Sequence, residues 1–314
     1  MERNKPVLWG IVLAGGEGER LRAFVQASFG TDAPKQFCTF CGRRTMVERT
    51  LMRAQRLIPR ERLLLSATAH HRRHVLASTA SHAPGTVLFQ PINRDTAPGI
   101  LLPLAHVLHR DPEAVVAILP SDHFVLPGRR FMASVAEAAD YLIESRDNSL
   151  ILLGVEPTEA ETDYGWIKPG FSANEHERSS IRPISRFIEK PPQELARALM
   201  ENGWLWNTMV MVVRAQALWE RVQEFAPELA AFFSMIRRTI GTPWEDRVLE
   251  EVYCMIPSVN FSTTILSQRP DRLLVLPVRN VYWSDWGRGE RILESLGQFR
   301  LLSSMHRAPA ATMQ

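Results

Sequence analysis

Through its first half the chain alternates short, unbroken apolar runs with longer stretches in which apolar residues recur every three or four positions. The runs at 7–14, 63–67, 86–90, 114–119 and 150–155 hold few polar residues, so they read as strands buried on both faces. Between them, 45–57, 70–80, 98–109 and 131–143 carry helical spacing. In the first of these, Met46, Val47, Leu51, Ala54 and Ile58 fall near one face. Strand and helix in regular alternation predict an α/β protein with a mostly parallel sheet and helices on both faces. In such sheets ligands bind at the carboxyl ends of the strands, so the loops that follow the strands are where chemistry is expected. The second half is more mixed. It predicts strands at 184–189, 209–213 and 273–278, helices at 193–202, 215–225, 227–238 and 288–299, and a frayed, flexible tail over 301–314.

Composition narrows the class. Of 314 residues, 45% are hydrophobic and 23% charged, ordinary values for a globular protein. No apolar run approaches the roughly 18 residues that a membrane helix needs. The N-terminal residues have neither the apolar core nor the cleavage pattern of a secretion signal, so a cytoplasmic protein is expected, without a membrane partner. The net charge of +3 is spread without a basic run, which argues against a nucleic-acid partner. Arginine dominates the cations, and only Lys5, Lys35, Lys168 and Lys190 are lysines. A lysine is a compact point charge suited to a phosphate oxygen in a tight site.

Cys38 and Cys41 fit C-x-x-C, but with Cys254 as the third cysteine there is no second pair for a zinc ribbon. Both read as ordinary thiols. His70, His71 and His74 read as a solvated face rather than a metal site. Trp204, Trp206, Trp283 and Trp286 flank candidate loops, where stacking on a ligand and plain packing are equally open.

The first strand runs into Leu13-Ala14-Gly15-Gly16-Glu17-Gly18-Glu19-Arg20. Glycines let backbone approach phosphate oxygens closely, and successive N–H groups then form an anion cradle. Arg20 adds a fork of donors. The loop is not a Walker A motif, which needs Gly-Lys-Ser/Thr. It is not a dinucleotide loop either, because the third glycine of that template falls on Leu21.

These residues resemble the opening motif of the nucleotidyltransferases that activate sugar phosphates. The likeness continues through Pro34-Lys35-Gln36-Phe37, Asn93-Arg94-Asp95-Thr96-Ala97-Pro98 and Leu119-Pro120-Ser121-Asp122-His123. Beyond these it includes Tyr164-Gly165-Trp166-Ile167, Phe187-Ile188-Glu189-Lys190-Pro191, Leu205-Trp206-Asn207 and Trp283-Ser284-Asp285. Within the family it leans to the branch that joins GTP to mannose-1-phosphate, giving GDP-mannose and pyrophosphate. Other nucleotides, a glucose-1-phosphate type of substrate, and a catalytically silent regulator remain open.

The resemblance implies a Rossmann-like sheet of the nucleotide-diphospho-sugar transferase type in one unit over 1–300. Its nucleotide half would span about 1–160 and its sugar-phosphate half 161–300. Leu13, Ala14, Gly15, Gly16, Gly18, Asn93, Arg94 and Ser121 would hold the nucleotide. Arg20, Lys35 and Lys190 would be catalytic, with Lys190 also gripping the sugar phosphate. Gly165, Glu189 and Asn207 would line the sugar pocket, and Asp122 and Asp285 would hold Mg2+. The expected partners are GTP and a hexose-1-phosphate, and a homodimer is left open. Two carboxylates at strand ends suit a hard cation on chemical grounds as well. Three features depart from the family pattern. Glu19 replaces a threonine, the stretch from Arg20 to Lys35 is longer, and Thr208-Met209 replaces a smaller pair.

Overall fold

The computed structural model describes residues 7–171 and 180–301. The first elements are β1 (Leu8–Leu13), α1 (Arg22–Phe29), α2 (Met46–Ala54), β2 (Leu63–Thr68), α3 (Arg72–Thr79) and β3 (Thr86–Gln90). They continue as α4 (Thr96–Arg110), β4 (Val115–Pro120), β5 (Phe124–Leu126), α5 (Gly128–Ser145) and β6 (Leu150–Val155). Then come β7 (Gly165–Pro169), β8 (Arg182–Glu189), α6 (Gln193–Glu201), β9 (Leu205–Arg214), α7 (Ala215–Phe225) and α8 (Pro227–Thr239). The chain closes with α9 (Glu245–Met255), β10 (Leu273–Val278), β11 (Tyr282–Ser284) and α10 (Gly289–Gln298).

Nine strands form one sheet in the order β3-β2-β1-β4-β9-β6-β10-β8-β7. β1 pairs in parallel with both β2 and β4, which places the loop after β1 at the carboxyl edge of the sheet's parallel part, between two neighbouring strands. β9 is antiparallel to β4 and β6, and β7 and β8 pair antiparallel, so the second half is mixed as expected.

The unbroken apolar strands are explained by cover on both faces. Ile11, Val116 and Ile118 pack into a core beneath α4, α7 and α8, while Val12, Val115 and Ala117 pack into another beneath α2 and α5. Successive strand residues point to opposite faces, so every position must be apolar when both faces are buried. α2 starts where Thr45 and Glu48 satisfy each other's backbone N–H groups in a capping box. Among the described residues, no helix is long and apolar enough to cross a membrane.

Several elements differ from the expected ones. The expected helix at 70–80 begins only at Arg72, because residues 69–71 form a tighter turn. β9 starts at Leu205 rather than 209, and Met209 adopts φ 57° within it. α1, α9 and the two-stranded ribbon of β5 and β11 had no expected counterpart. These are short or weakly apolar segments whose packing comes from distant parts of the chain. The tail expected from 301 lies, beyond Leu301, outside the described residues.

Candidate active site

Only Gly18 of the loop glycines has a left-handed backbone, at φ 66°. A Cβ there would stand 3.0 Å from the Lys35 backbone nitrogen, so the loop and the Pro34–Lys35 segment are packed without room for a side chain. The loop is also stapled by Gln36, whose Nε2 donates to the carbonyls of Ala14 (3.1 Å) and Gly16 (2.7 Å). Ala14 N in turn donates to Ser66 O at 2.7 Å. Asn93 reaches the same loop, with Nδ2 3.5 Å from Gly15 O and 3.4 Å from Glu17 Oε1.

Gly18 and Lys35 lie side by side despite the long stretch between Arg20 and Lys35. That stretch folds as α1, which ends at Gly30 (φ 63°), and returns the chain to the loop. Glu19 is exposed at the surface.

Lys35 is almost fully buried, and its ammonium reaches both candidate metal ligands. Nζ donates to the Asp285 backbone oxygen at 2.5 Å and sits 2.9 Å from Asp122 Oδ2. Asp122 follows β4. Asp285 follows β11, which pairs with β5 rather than with the main sheet. The register Ser284↔Phe124 brings residue 285 back beside 122–123 across a sequence gap that spacing alone does not bridge. Asp285 Oδ1 accepts from Tyr164 Oη (2.5 Å), Gly287 N (2.8 Å) and Arg291 Nη1 (2.9 Å). Arg291 also bonds Glu161 and lies over the Tyr164 ring.

Burial pushes both carboxyls up, but the opposing charges win. Lys35 and His123 hold Asp122 below its ordinary value, and Lys35, Tyr164 and Gly287 do the same for Asp285. Both stay ionised at neutral pH. The ionised Asp122 carboxylate, held against the buried Lys35, and the ionised Asp285 carboxylate beside it are hard oxygen donors of the kind that suits a dication such as Mg2+. The buried Ser121 Oγ beside them has no hydrogen-bond partner, so one more oxygen remains for a ligand.

The expected sugar-side residues also meet. Gly165 stands opposite Glu189 in the β7–β8 ladder, and a Cβ on it would lie 2.8 Å from Glu189 Oε2 and 3.3 Å from Asn207 Cβ. Burial raises the Glu189 carboxyl, against the pull of Lys190 at 3.4 Å. Lys190 itself is exposed, with φ 48°. Asn207 is buried and accepts from Met209 N at 3.0 Å.

Three expected groups are turned elsewhere. Arg94 donates to the carbonyls of Tyr253 (3.0 Å) and Cys254 (3.4 Å), so its guanidinium pins the end of α9. Arg20 is exposed and pairs with Asp163 at 3.0 Å, with Asp285 Oδ2 at 3.9 Å. Trp204, Trp206, Trp283 and Trp286 are all buried, which decides between packing and open stacking in favour of packing.

The histidines correct the solvated-face reading. His71 is buried, its Nδ1 is 2.8 Å from Thr68 Oγ1, and burial lowers its pKa to about 4. His70 is exposed and meets Glu17 at 3.0 Å, and His74 stacks on Phe37. Cys38 and Cys41 are buried free thiols, as expected, and burial pushes Cys38 up to about 12. Sequence reasoning gave no role to Gln36, Tyr164, Glu161 or Arg291. Gln36 and Tyr164 lie inside the motifs quoted above, whereas Arg291 sits on α10 with no local signal.

The comparisons with known proteins agree on one family. The model of a family described as nucleotidyl transferase matches residues 9–298. The chain is similar to mannose-1-phosphate guanylyltransferase 2 of Escherichia coli O157:H7, at 26% identity over 292 residues, covering 88% of this chain and 57% of that protein. It is similar to mannose-1-phosphate guanylyltransferase of Salmonella montevideo at 27% identity, covering 90% of this chain and 59% of that protein. The chain thus spans less than two thirds of the length of these relatives. A crystal structure described as mannose-1-phosphate geranyltransferase from Thermus thermophilus is 29% identical, with a TM-score of 0.76. It covers 91% of this chain and 79% of that one.

Proposed function

The chain belongs to the nucleotidyl transferase family, and from that premise we propose that it transfers a guanylyl group from GTP to mannose-1-phosphate. One oxygen of the sugar phosphate attacks the α-phosphorus. The bond from that phosphorus to the bridging oxygen breaks, pyrophosphate leaves, and GDP-mannose forms. The attacking phosphate is already anionic, so no general base is required, and catalysis rests on positioning and charge neutralisation.

The observation that carries this reading is the convergence of Lys35 on Asp122 and Asp285 beside the stapled glycine loop. Leu13, Ala14, Gly15, Gly16 and Gly18 would offer backbone to the triphosphate, with Asn93 and Ser121 beside them. Arg20 would leave Asp163 to meet phosphate oxygens, and Arg94 would serve through the loop it anchors. Asp122 and Asp285 would hold Mg2+, which when bound neutralises phosphate charge. Lys35 would stabilise charge on the reacting phosphates, and Lys190 would grip the sugar phosphate. Gly165, Glu189 and Asn207 would receive the hexose hydroxyls.

Residues 1–300 would act as one catalytic unit in the cytoplasm, its two halves meeting at this site. A homodimer is the assembly to test. Pyrophosphate release over a panel of nucleoside triphosphates crossed with hexose-1-phosphates, with and without Mg2+, tests the proposal. GTP with mannose-1-phosphate and Mg2+ is expected to lead the panel. Preference for another pair would overturn the substrate assignment, and silence throughout would overturn the transferase reading.

A further inference from the structure

Behind the loop that carries Asp122 lies a cavity of about 850 Å3 lined by Arg43, Arg44, Arg49, Arg53, Arg56 and Arg129. Among the described residues no carboxylate lines it. None of the six arginines makes an ion pair among the described residues, although the chain has 34 acidic side chains and several other arginines find one.

Arg53 is the most telling. Its stem packs on Gly128, where a Cβ would stand 3.2 Å from Cδ, and its Nη2 donates to Thr50 Oγ1 at 3.0 Å. Its Nε is buried with no partner. Burial and the neighbouring Arg49 together push this guanidinium down to about 10. A half-buried cation without a counterion carries a desolvation cost, and a second cation beside it adds to that cost.

The charge deficit is specific in kind. Guanidinium forks match phosphate oxygens two at a time. A single inorganic phosphate would leave most of this volume empty, whereas small-molecule sites run from about 300 to 1,000 Å3. Buried Phe40, Phe124 and Trp286 add apolar surface to the same lining. We propose that this cavity is a second anion site, separate from the glycine loop, for a small molecule bearing two phosphate groups.

The site is placed to be felt at the proposed active site. Arg53 bonds Thr50, and Thr50 Oγ1 donates to the carbonyl of Ser121 at 3.3 Å, one residue before Asp122.

Calorimetric titration of the full chain with fructose 1,6-bisphosphate tests the proposal without reference to turnover. Saturable binding is expected. The exposed double variant Arg44→Glu with Arg129→Glu should weaken it at least about tenfold, while Arg20→Ala in the glycine loop should leave it unchanged. No binding, or loss in Arg20→Ala with retention in the double variant, would overturn it. Arg53→Met gives an independent readout by thermal melting. It should keep or raise the Tm without ligand and abolish the rise that ligand gives the native chain. A lowered Tm would mean that the guanidinium serves the fold rather than a ligand.

Discussion

Lys35 Nζ lies 2.9 Å from Asp122 Oδ2 and, on its other side, 2.5 Å from the backbone oxygen of Asp285. One buried ammonium thus spans two residues that β4 and β11 deliver separately. Lys35→Met keeps the stem and removes the charge. It should lower kcat by about 10²–10³, the loss typical of one preorganised charge at a transition state. The Asp122 carboxyl should titrate higher in the variant, because its first opposing charge is gone. Steady-state rates and a pH profile check both, and near-native kcat would remove Lys35 from the chemistry.

Much of this arrangement was legible in advance, for identifiable reasons. Strands covered on both faces must be apolar at every position, so β1, β2, β4 and β6 announce themselves by composition. The glycine loop is legible because a left-handed Gly18 pressed on Lys35 leaves glycine as the residue that fits. The β5–β11 ribbon was not legible. Each strand has three residues, and their pairing spans more than 150 positions. Arg291 was hidden for the same reason, since nothing within α10 marks that its one arginine faces Asp285. Arg94 shows the opposite failure. It sits within a recognisable motif, yet its guanidinium is committed to the carbonyls of α9.

Gln36 holds the loop through two carbonyls, at 3.1 and 2.7 Å. Gln36→Leu leaves both acceptors without this donor and frees the loop to sample other shapes. The KM for the nucleotide should rise about tenfold, with a smaller effect on the KM for the sugar phosphate, and stability should fall by about 1–3 kcal/mol. Initial rates with each substrate varied in turn give the split. Equal changes in both constants would count against a loop-specific role.

Gly165 is the counterpart on the sugar side. A methyl group there would stand 2.8 Å from Glu189 Oε2 and 3.0 Å from the Phe187 ring, so Gly165→Ala must displace the carboxylate. The KM for the sugar phosphate should rise while that for the nucleotide holds. If a crystal structure of the variant showed Glu189 unmoved, the steric argument would fail.

The last prediction concerns pH and the two buried histidines. Burial lowers His71 and His123 from 6.5 to about 4. The unfolded chain therefore binds protons at these sites between about pH 6.5 and 4 while the folded chain does not. Stability must fall as pH drops through that window, and the loss stops growing below it, where both states are protonated. Each histidine contributes on the order of 3 kcal/mol to the decline. The depressed Asp122 and Asp285 carboxyls act lower, adding their loss as pH falls beneath the ordinary carboxylate range near 4. The histidine loss is thus separable from ordinary acid unfolding by where it begins. His71→Gln removes one titrating ring, and its amide can still meet Thr68. Its Tm should fall less steeply than that of the native chain from pH 6.5 to 4, and in parallel with it below pH 4. Identical slopes across the upper window would show that His71 takes up its proton without opening the fold.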